Sequence, residues 1–223
     1  MVVTIGAEKG GVGKTKLATH IAALAMCAGE DVVLLDTDKQ GSSMSWSRIR
    51  NEEGVIPGIP VLALPVNPAR ELANLAEKYA LVVVDIGAQN YRTMLECALL
   101  SDLVLVPCGP DQQEVESTLS VFESLKGMDN RHEAGAVPAH VVLTRVSTKE
   151  NAKATNELRE YFASEGISVF NAQIAQREAW RATGKSGKAL HELRGADRSQ
   201  KAIDEMQAVY DEILERINGK ESI

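Results

Sequence analysis

The sequence predicts an α/β fold, a doubly wound and mostly parallel sheet with helices on both faces, in a single domain over residues 1–223. Three observations carry that expectation. Apolar runs of strand length alternate with stretches of helical periodicity along the chain. Several runs, Val32-Val33-Leu34-Leu35 and Leu81-Val82-Val83-Val84 among them, are apolar at every position, as strands buried on both faces of a parallel sheet are. Between the first run and the first helical stretch lies a glycine-rich loop, Lys9-Gly10-Gly11-Val12-Gly13-Lys14-Thr15.

The chain's 223 residues suffice for one such domain with a sizeable core. Hydrophobic residues make up 44% and charged residues 25%, a globular balance, and with aromatics at 4% the core is expected to be aliphatic. No apolar run approaches the roughly 20 residues of a membrane span. The N-terminus passes straight into the glycine loop with no basic leader, so no signal peptide is expected. Cys27, Cys97 and Cys108 form no C-x-x-C pair and read as reduced thiols of a cytoplasmic protein. His20, His132, His140 and His191 are dispersed without metal-ligand spacing, and surface positions on helices or strands would explain them.

Val2 to Ile5 forms the first predicted strand and Leu17 to Ala25 the first helix. A strand, a glycine loop and a helix in that order make a phosphate-binding loop, which assigns the chain a P-loop NTPase-like fold. Glycines let backbone N–H groups converge on phosphate oxygens, and the helix N-terminus adds partial positive charge. The cradle is expected over Lys9, Gly10, Gly11, Val12, Gly13, Lys14, Thr15 and Lys16. Lys14 would reach the β- and γ-phosphates of ATP, and the Thr15 hydroxyl would ligate Mg²⁺. Glu8 stands where the usual pattern has its first glycine, and Lys9 adds a second cation beside the phosphates.

The second strand, Val32 to Leu35, runs into Asp36-Thr37-Asp38-Lys39-Gln40. Carboxylates just past that strand end lie where open α/β sheets place their ligands, although either could cap the next helix. Ser43 to Arg50 reads as a short helix with Trp46 packing, Pro57 to Pro60 as a turn, Val61 to Leu64 as a short strand and Pro68 to Tyr79 as a helix. Leu81 to Val84 then delivers Asp85 at a strand end, the arrangement that hydrogen-bonds metal-bound water, and Gly87 permits a flexible loop after it. Asp102 to Pro107 is a strand, a helix follows through Val115 and Leu125, Ala139 to Val146 is a strand, Asn151 to Ser164 a helix, and Val169-Phe170 a short final strand.

Net charge is −7, yet residues 171–202 hold seven bases, Arg177, Arg181, Lys185, Lys188, Arg194, Arg198 and Lys201, against three acids. Alone, such a segment is as readily a solvated face. Beside ATPase motifs it becomes a surface for DNA phosphate, bound without base reading. Residues 203–218 form an amphipathic helix whose acidic polar face disfavours an anionic membrane, so no membrane partner is expected.

Lys9 ahead of the glycines, the Asp36-Thr37-Asp38-Lys39-Gln40 stretch and the Asp85 strand together resemble the ParA/MinD family of deviant Walker A ATPases, over nearly the whole chain. Small, ParF-like plasmid partition ATPases are the nearest kind. Lys39 stands in place of the family's usual proline, and Asp85-Ile86-Gly87 likewise lacks one. The resemblance implies catalytic roles for Lys14, for Lys9 reaching the partner's phosphates in an ATP homodimer, and for Asp38 orienting the attacking water. It implies that Asp36 supports Mg²⁺ through water or a loop hydrogen bond, with Asp85 and Thr15 completing the metal set. Pro107, Asp111 and Thr144 are expected near the adenine base, and Arg145 there or in a structural ion pair. A nucleoid-associated cytoplasmic protein that partitions plasmid or chromosomal DNA with a ParB- or ParG-like partner follows. The alternatives are an ATPase positioning a protein cluster or membrane site, and a metabolic ATP-dependent enzyme of the same fold.

Overall fold

A computed structural model describes residues 1–63, 68–148 and 152–219. Seven parallel strands, β1 (Val2–Ile5), β2 (Val32–Asp36), β3 (Val61–Ala63), β4 (Leu81–Asp85), β5 (Leu103–Cys108), β6 (Ala139–Val146) and β7 (Val169–Ala175), form one sheet in the order β3-β2-β4-β1-β5-β6-β7. Among the described residues eight α-helices connect and cover them: α1 (Lys14–Cys27), α2 (Ser42–Glu52), α3 (Pro68–Ala76), α4 (Tyr91–Ala98), α5 (Gln112–Lys126), α6 (Ala152–Ser164), α7 (Ala179–Ser186) and α8 (Gln200–Asn218). The predicted ends at Leu64 and Asn151, and the tail charges Lys220 and Glu221, lie outside the described residues.

The unbroken apolar runs are explained by two cores. Along β2, Val32 and Leu34 face the core built on α1 and α8, while Val33 and Leu35 face the one built on α3, α4 and α5. Leu81 and Val83 of β4 divide from Val82 and Val84 in the same way, so every position of β2 and β4 is buried, whichever face it points to. After β1 the chain enters α1 on one face, and after the neighbouring β5 it enters α5 on the other. That switch between adjacent strands opens the crevice where doubly wound sheets bind ligands.

Several expectations need revision. α4 has no counterpart in the sequence reading, and α3 ends at Ala76 instead of Tyr79. The last strand runs for seven residues instead of two, through the polar stretch Asn171-Ala172-Gln173. This edge is finished by α8. Glu212 accepts from the backbone N–H groups of Asn171 (2.9 Å) and Ala172 (2.8 Å), and Glu205 accepts from that of Ala175 (3.1 Å). Two acids of the supposed solvent face are therefore substitutes for a missing neighbouring strand, and they close an edge that would otherwise offer unpaired N–H groups. His20 is also not a surface residue: it is buried in α1 with its ring 4.8 Å from that of Trp180.

Candidate nucleotide site

Gly11 (φ 78°) and Gly13 (φ 101°) bend the loop after β1 through left-handed conformations that side chains disfavour. Gly13 then caps α1, which starts at Lys14. The Lys14 ammonium folds back and donates to the Lys9 carbonyl at 2.7 Å. Burial holds this ammonium below the ordinary lysine range, while the Asp85 and Asp38 carboxylates act in the opposite sense. From the other side the Thr144 hydroxyl, fully buried, donates to the Val12 carbonyl at 2.9 Å.

β2 and β4 deliver their acids side by side, Asp36 paired in register with Asp85. Their environments differ. Asp36 accepts the Asp38 N–H (2.9 Å) on one oxygen and the Met44 N–H (3.0 Å) on the other. It braces the loop, which is one of the two roles expected for it. Asp85 accepts from the Ser43 hydroxyl at 2.8 Å and from Thr15. Burial pushes its carboxyl up to about 6, against the pull of those two hydrogen bonds. A buried carboxylate short of compensating charge beside a hydroxyl presents hard oxygens, the donor set that suits Mg²⁺.

Asp38 accepts the Gln40 N–H at 2.9 Å and faces the crevice. Behind it stands Gly87, where a Cβ would lie 3.0 Å from the Asp38 Cα and 3.1 Å from its Cγ. The glycine thus serves close approach; its N–H is held by the Thr37 hydroxyl at 2.8 Å, and the Asn90 amide donates to the Thr37 carbonyl. The loop after β4, for which Gly87 permits flexibility, is here stitched to the loop after β2. Thr37, Ser43 and Asn90 had no spacing that could reveal them.

The phosphate loop with Lys14 and Thr15, together with Asp38 and Asn90, lines one end of a cavity of about 1090 Å³. Its other end is made by Thr144, Arg145, Gln176, Arg177 and Trp180. Lys16 lies between, its ammonium 5.8 Å from the centre of the Trp180 ring. Of the three expected base contacts, Thr144 lines this cavity. Pro107 is buried within β5, Asp111 is an exposed cap of α5 that accepts the Gln113 N–H at 3.0 Å, and neither lines the cavity. The Thr144 hydroxyl is spent on the phosphate loop. Arg145, at φ 55°, pairs with Glu114 at the rim, the structural alternative foreseen for it.

The basic segment is less free than its charge suggests. Arg177 grips Glu205 through two nitrogens, Arg194 donates to the carbonyls of His191 (3.0 Å) and Leu193 (3.1 Å), and Arg198 donates to Gln200 (3.0 Å). Arg181 pairs in solvent with Glu178 at 3.0 Å. Lys185 and Lys201 are exposed and Lys188 is half-buried. Lys9, the additional loop cation, is exposed and does not line the cavity.

A parallel sheet whose switch point holds a glycine loop, a buried lysine and a strand-end carboxylate defines a phosphate-loop nucleotide-binding protein. Residues 3–190 match the CobQ/CobB/MinD/ParA nucleotide binding domain, and the chain belongs to this family, the ParA/MinD ATPases. It is 30% identical over 221 residues to the maintenance of carboxysome distribution protein A of Gloeobacter kilaueensis, covering 97% of this chain and 94% of that one. Among solved structures it resembles a protein of Borrelia burgdorferi B31 described as a plasmid partition protein, bound to AMPPNP (TM-score 0.71, 20% identity, 97% of this chain and 99% of that one). It also resembles the septum site-determining protein MinD of Pyrococcus horikoshii complexed with Mg-ADP (TM-score 0.69, 15% identity, 95% of each chain). No described helix is long and apolar enough to cross a membrane.

Proposed function

We propose that this ATPase positions an intracellular cargo, dimerising on ATP, binding DNA non-specifically in that state and releasing it when a cargo-bound partner stimulates hydrolysis. The observation that carries the reading is Lys9: an exposed cation ahead of the phosphate loop that is not among the residues lining its own cavity. A cation so placed serves a second subunit's phosphates better than its own. Within the site, Lys14 and the loop amides would bind the phosphates, Thr15 and Asp85 would hold Mg²⁺, and Asp38 would orient the attacking water. Mg²⁺ supplies neutralisation of charge on the β- and γ-phosphate oxygens. Attack is in line on the γ-phosphate, with positioning as the main catalytic contribution.

The names of similar proteins support positioning and leave two cargoes, a DNA molecule as in plasmid partition and a protein body as in carboxysome distribution. For the DNA contact, Arg181, Lys185, Lys188 and Lys201 remain available, while Arg177 must first leave Glu205. In a chain of net −7 such a patch is too weak for a monomer, because the acidic remainder repels the same polyanion. Two patches on one duplex act as one bivalent surface. Fluorescence anisotropy on two unrelated duplexes, with ATP, ADP and no nucleotide across a salt series, tests this. Binding should require ATP, ignore sequence and fall steeply with salt. Equal binding in all nucleotide states, or none by a protein that plainly dimerises, would replace DNA with a protein scaffold.

A further inference from the structure

At the far end of α1 from the phosphate loop, about 20 Å along the helix, three side chains meet that the chain keeps far apart. Cys27 is the last residue of α1, and its Sγ lies 3.3 Å from Nε2 of His191. His191 and Glu192 belong to a short 3₁₀ turn, Leu190–Glu192. One donor atom from each of the three lies within 4.8 Å of the other two. The pairing spans 164 positions, so dispersed histidines and scattered cysteines in the sequence conceal it.

Both members of the turn are held in place from behind. Arg50 of α2 is fully buried and donates to both Glu192 oxygens at 2.7 Å, while also bonding the Pro57 and Gly187 carbonyls. Glu192 Oε2 further accepts the Ala189 N–H at 2.7 Å. A carboxylate offers about four lone-pair positions, two on each oxygen. Oε2 has both filled, and Oε1 has one filled by Arg50 and one left. The His191 carbonyl accepts from Arg194 at 3.0 Å and from Arg198 at 3.3 Å, which anchors the backbone carrying the imidazole. Such outer hydrogen bonds are what orient metal ligands before the metal arrives.

The spacing of the sulfur and the imidazole nitrogen also fits. Around tetrahedral zinc, Zn–S near 2.3 Å and Zn–N near 2.05 Å place sulfur and nitrogen about 3.6 Å apart. The observed separation of 3.3 Å needs only a small opening. Thiol, imidazole and carboxylate together favour a borderline-soft cation over the hard Mg²⁺ of a nucleotide site. We propose that Cys27 Sγ, His191 Nε2 and Glu192 Oε1 form a three-ligand site for a zinc-class divalent cation, with solvent in the fourth position. On binding, the Cys27 thiol gives its proton to solvent and coordinates as thiolate, while His191 coordinates as the neutral imidazole. The cation clips the end of α1 to the turn that precedes Arg194 and Arg198. This site is independent of the DNA reading.

Titration of the whole chain with Co²⁺ tests it. Expected are one equivalent bound, a thiolate-to-cobalt charge-transfer band with tetrahedral ligand-field absorption, and displacement by Zn²⁺ but not by Mg²⁺. Cys27→Ser should abolish the charge-transfer band, and His191→Ala should weaken Zn²⁺ at least about tenfold in competition with a chromophoric chelator. Neither variant should change basal ATP turnover. Cys97 and Cys108 are buried, so Cys97→Ser should leave the spectrum as it is. Absence of the band, or its persistence in Cys27→Ser, overturns the assignment.

Discussion

The two halves of the sheet's carboxyl edge are built differently. At the ends of β1, β2 and β4, charge is delivered by residues at fixed short spacings and held by backbone hydrogen bonds: Lys14 on the Lys9 carbonyl, Asp36 on the N–H groups of Asp38 and Met44. At the ends of β6 and β7 the charges are arginines, and each is held by an acid from a helix, Arg145 by Glu114 of α5 and Arg177 by Glu205 of α8. The first half is locally specified chemistry. The second is tertiary structure that happens to line the same cavity. Substitutions in the first should therefore change turnover, and in the second stability or affinity.

The largest expected effect is that of Asp38→Ala. Turnover should fall roughly 10²–10⁴-fold, as when a group orienting a reacting water is lost. ATP affinity by calorimetry should stay within a few-fold of wild type. Wild-type phosphate release in the variant would show that the carboxylate beside Gly87 does no chemistry.

At the seam between the halves, His20 of α1 packs on Trp180 of α7 and bonds the Lys16 carbonyl at 2.7 Å. Burial lowers its pKa to about 3, with the Lys16 carbonyl and Glu192 opposing and His191 and Lys16 adding to the fall. The unfolded chain takes up this proton near pH 6.5 and the folded chain only near 3, so the stability His20 confers is complete above 6.5 and is lost as pH falls toward 3. Between pH 7.5 and 5 the wild type should lose about 2 kcal/mol more than His20→Phe, measured by urea unfolding at both values. Parallel pH curves for the two proteins would mean the imidazole is protonated as readily in the fold as outside it.

Thr144→Val probes the second half directly. Removing the hydroxyl that holds the Val12 carbonyl should cost about 1 kcal/mol of stability. It should weaken nucleotide binding a few-fold and leave turnover at saturating ATP unchanged. A loss of turnover at saturation would place Thr144 with the catalytic half. The smallest effect is expected from Glu205→Gln, which releases Arg177 for an external anion. DNA affinity in the presence of ATP should rise roughly 2–5-fold, the range a partly exposed ion pair permits. An unchanged or lower affinity would remove Arg177 from the proposed DNA surface.

That division also explains what could be read from the chain alone. The phosphate loop, the Asp38 turn and the Asp85 strand each occupy a few consecutive residues, and their chemistry depends on that spacing. The sheet was legible because burial on both faces leaves apolar runs such as Leu81 to Val84. The rest was hidden by partners far away in sequence. Asp36 looks identical to Asp38 until the Met44 N–H is seen on it. β7 reads as ending at Phe170 because its polar residues 171–173 count as strand only once Glu212 occupies the open edge. Arg177 reads as free charge until Glu205 is placed against it. Thr144 was assigned by its position at a strand end, and only the fold shows its hydroxyl turned to the loop.

The bond from Lys14 to the Lys9 carbonyl sets an order of events. One lysine of the loop is tethered to the backbone of the other, so an arriving γ-phosphate must win the ammonium away from that carbonyl. Until it does, the peptide that carries Lys9 is restrained by its own subunit. In the ATP dimer proposed above, loading in cis would thus come before any reach in trans: a subunit without a triphosphate would keep the Lys9 peptide restrained, and pairing between one loaded and one empty subunit would be disfavoured from the empty side.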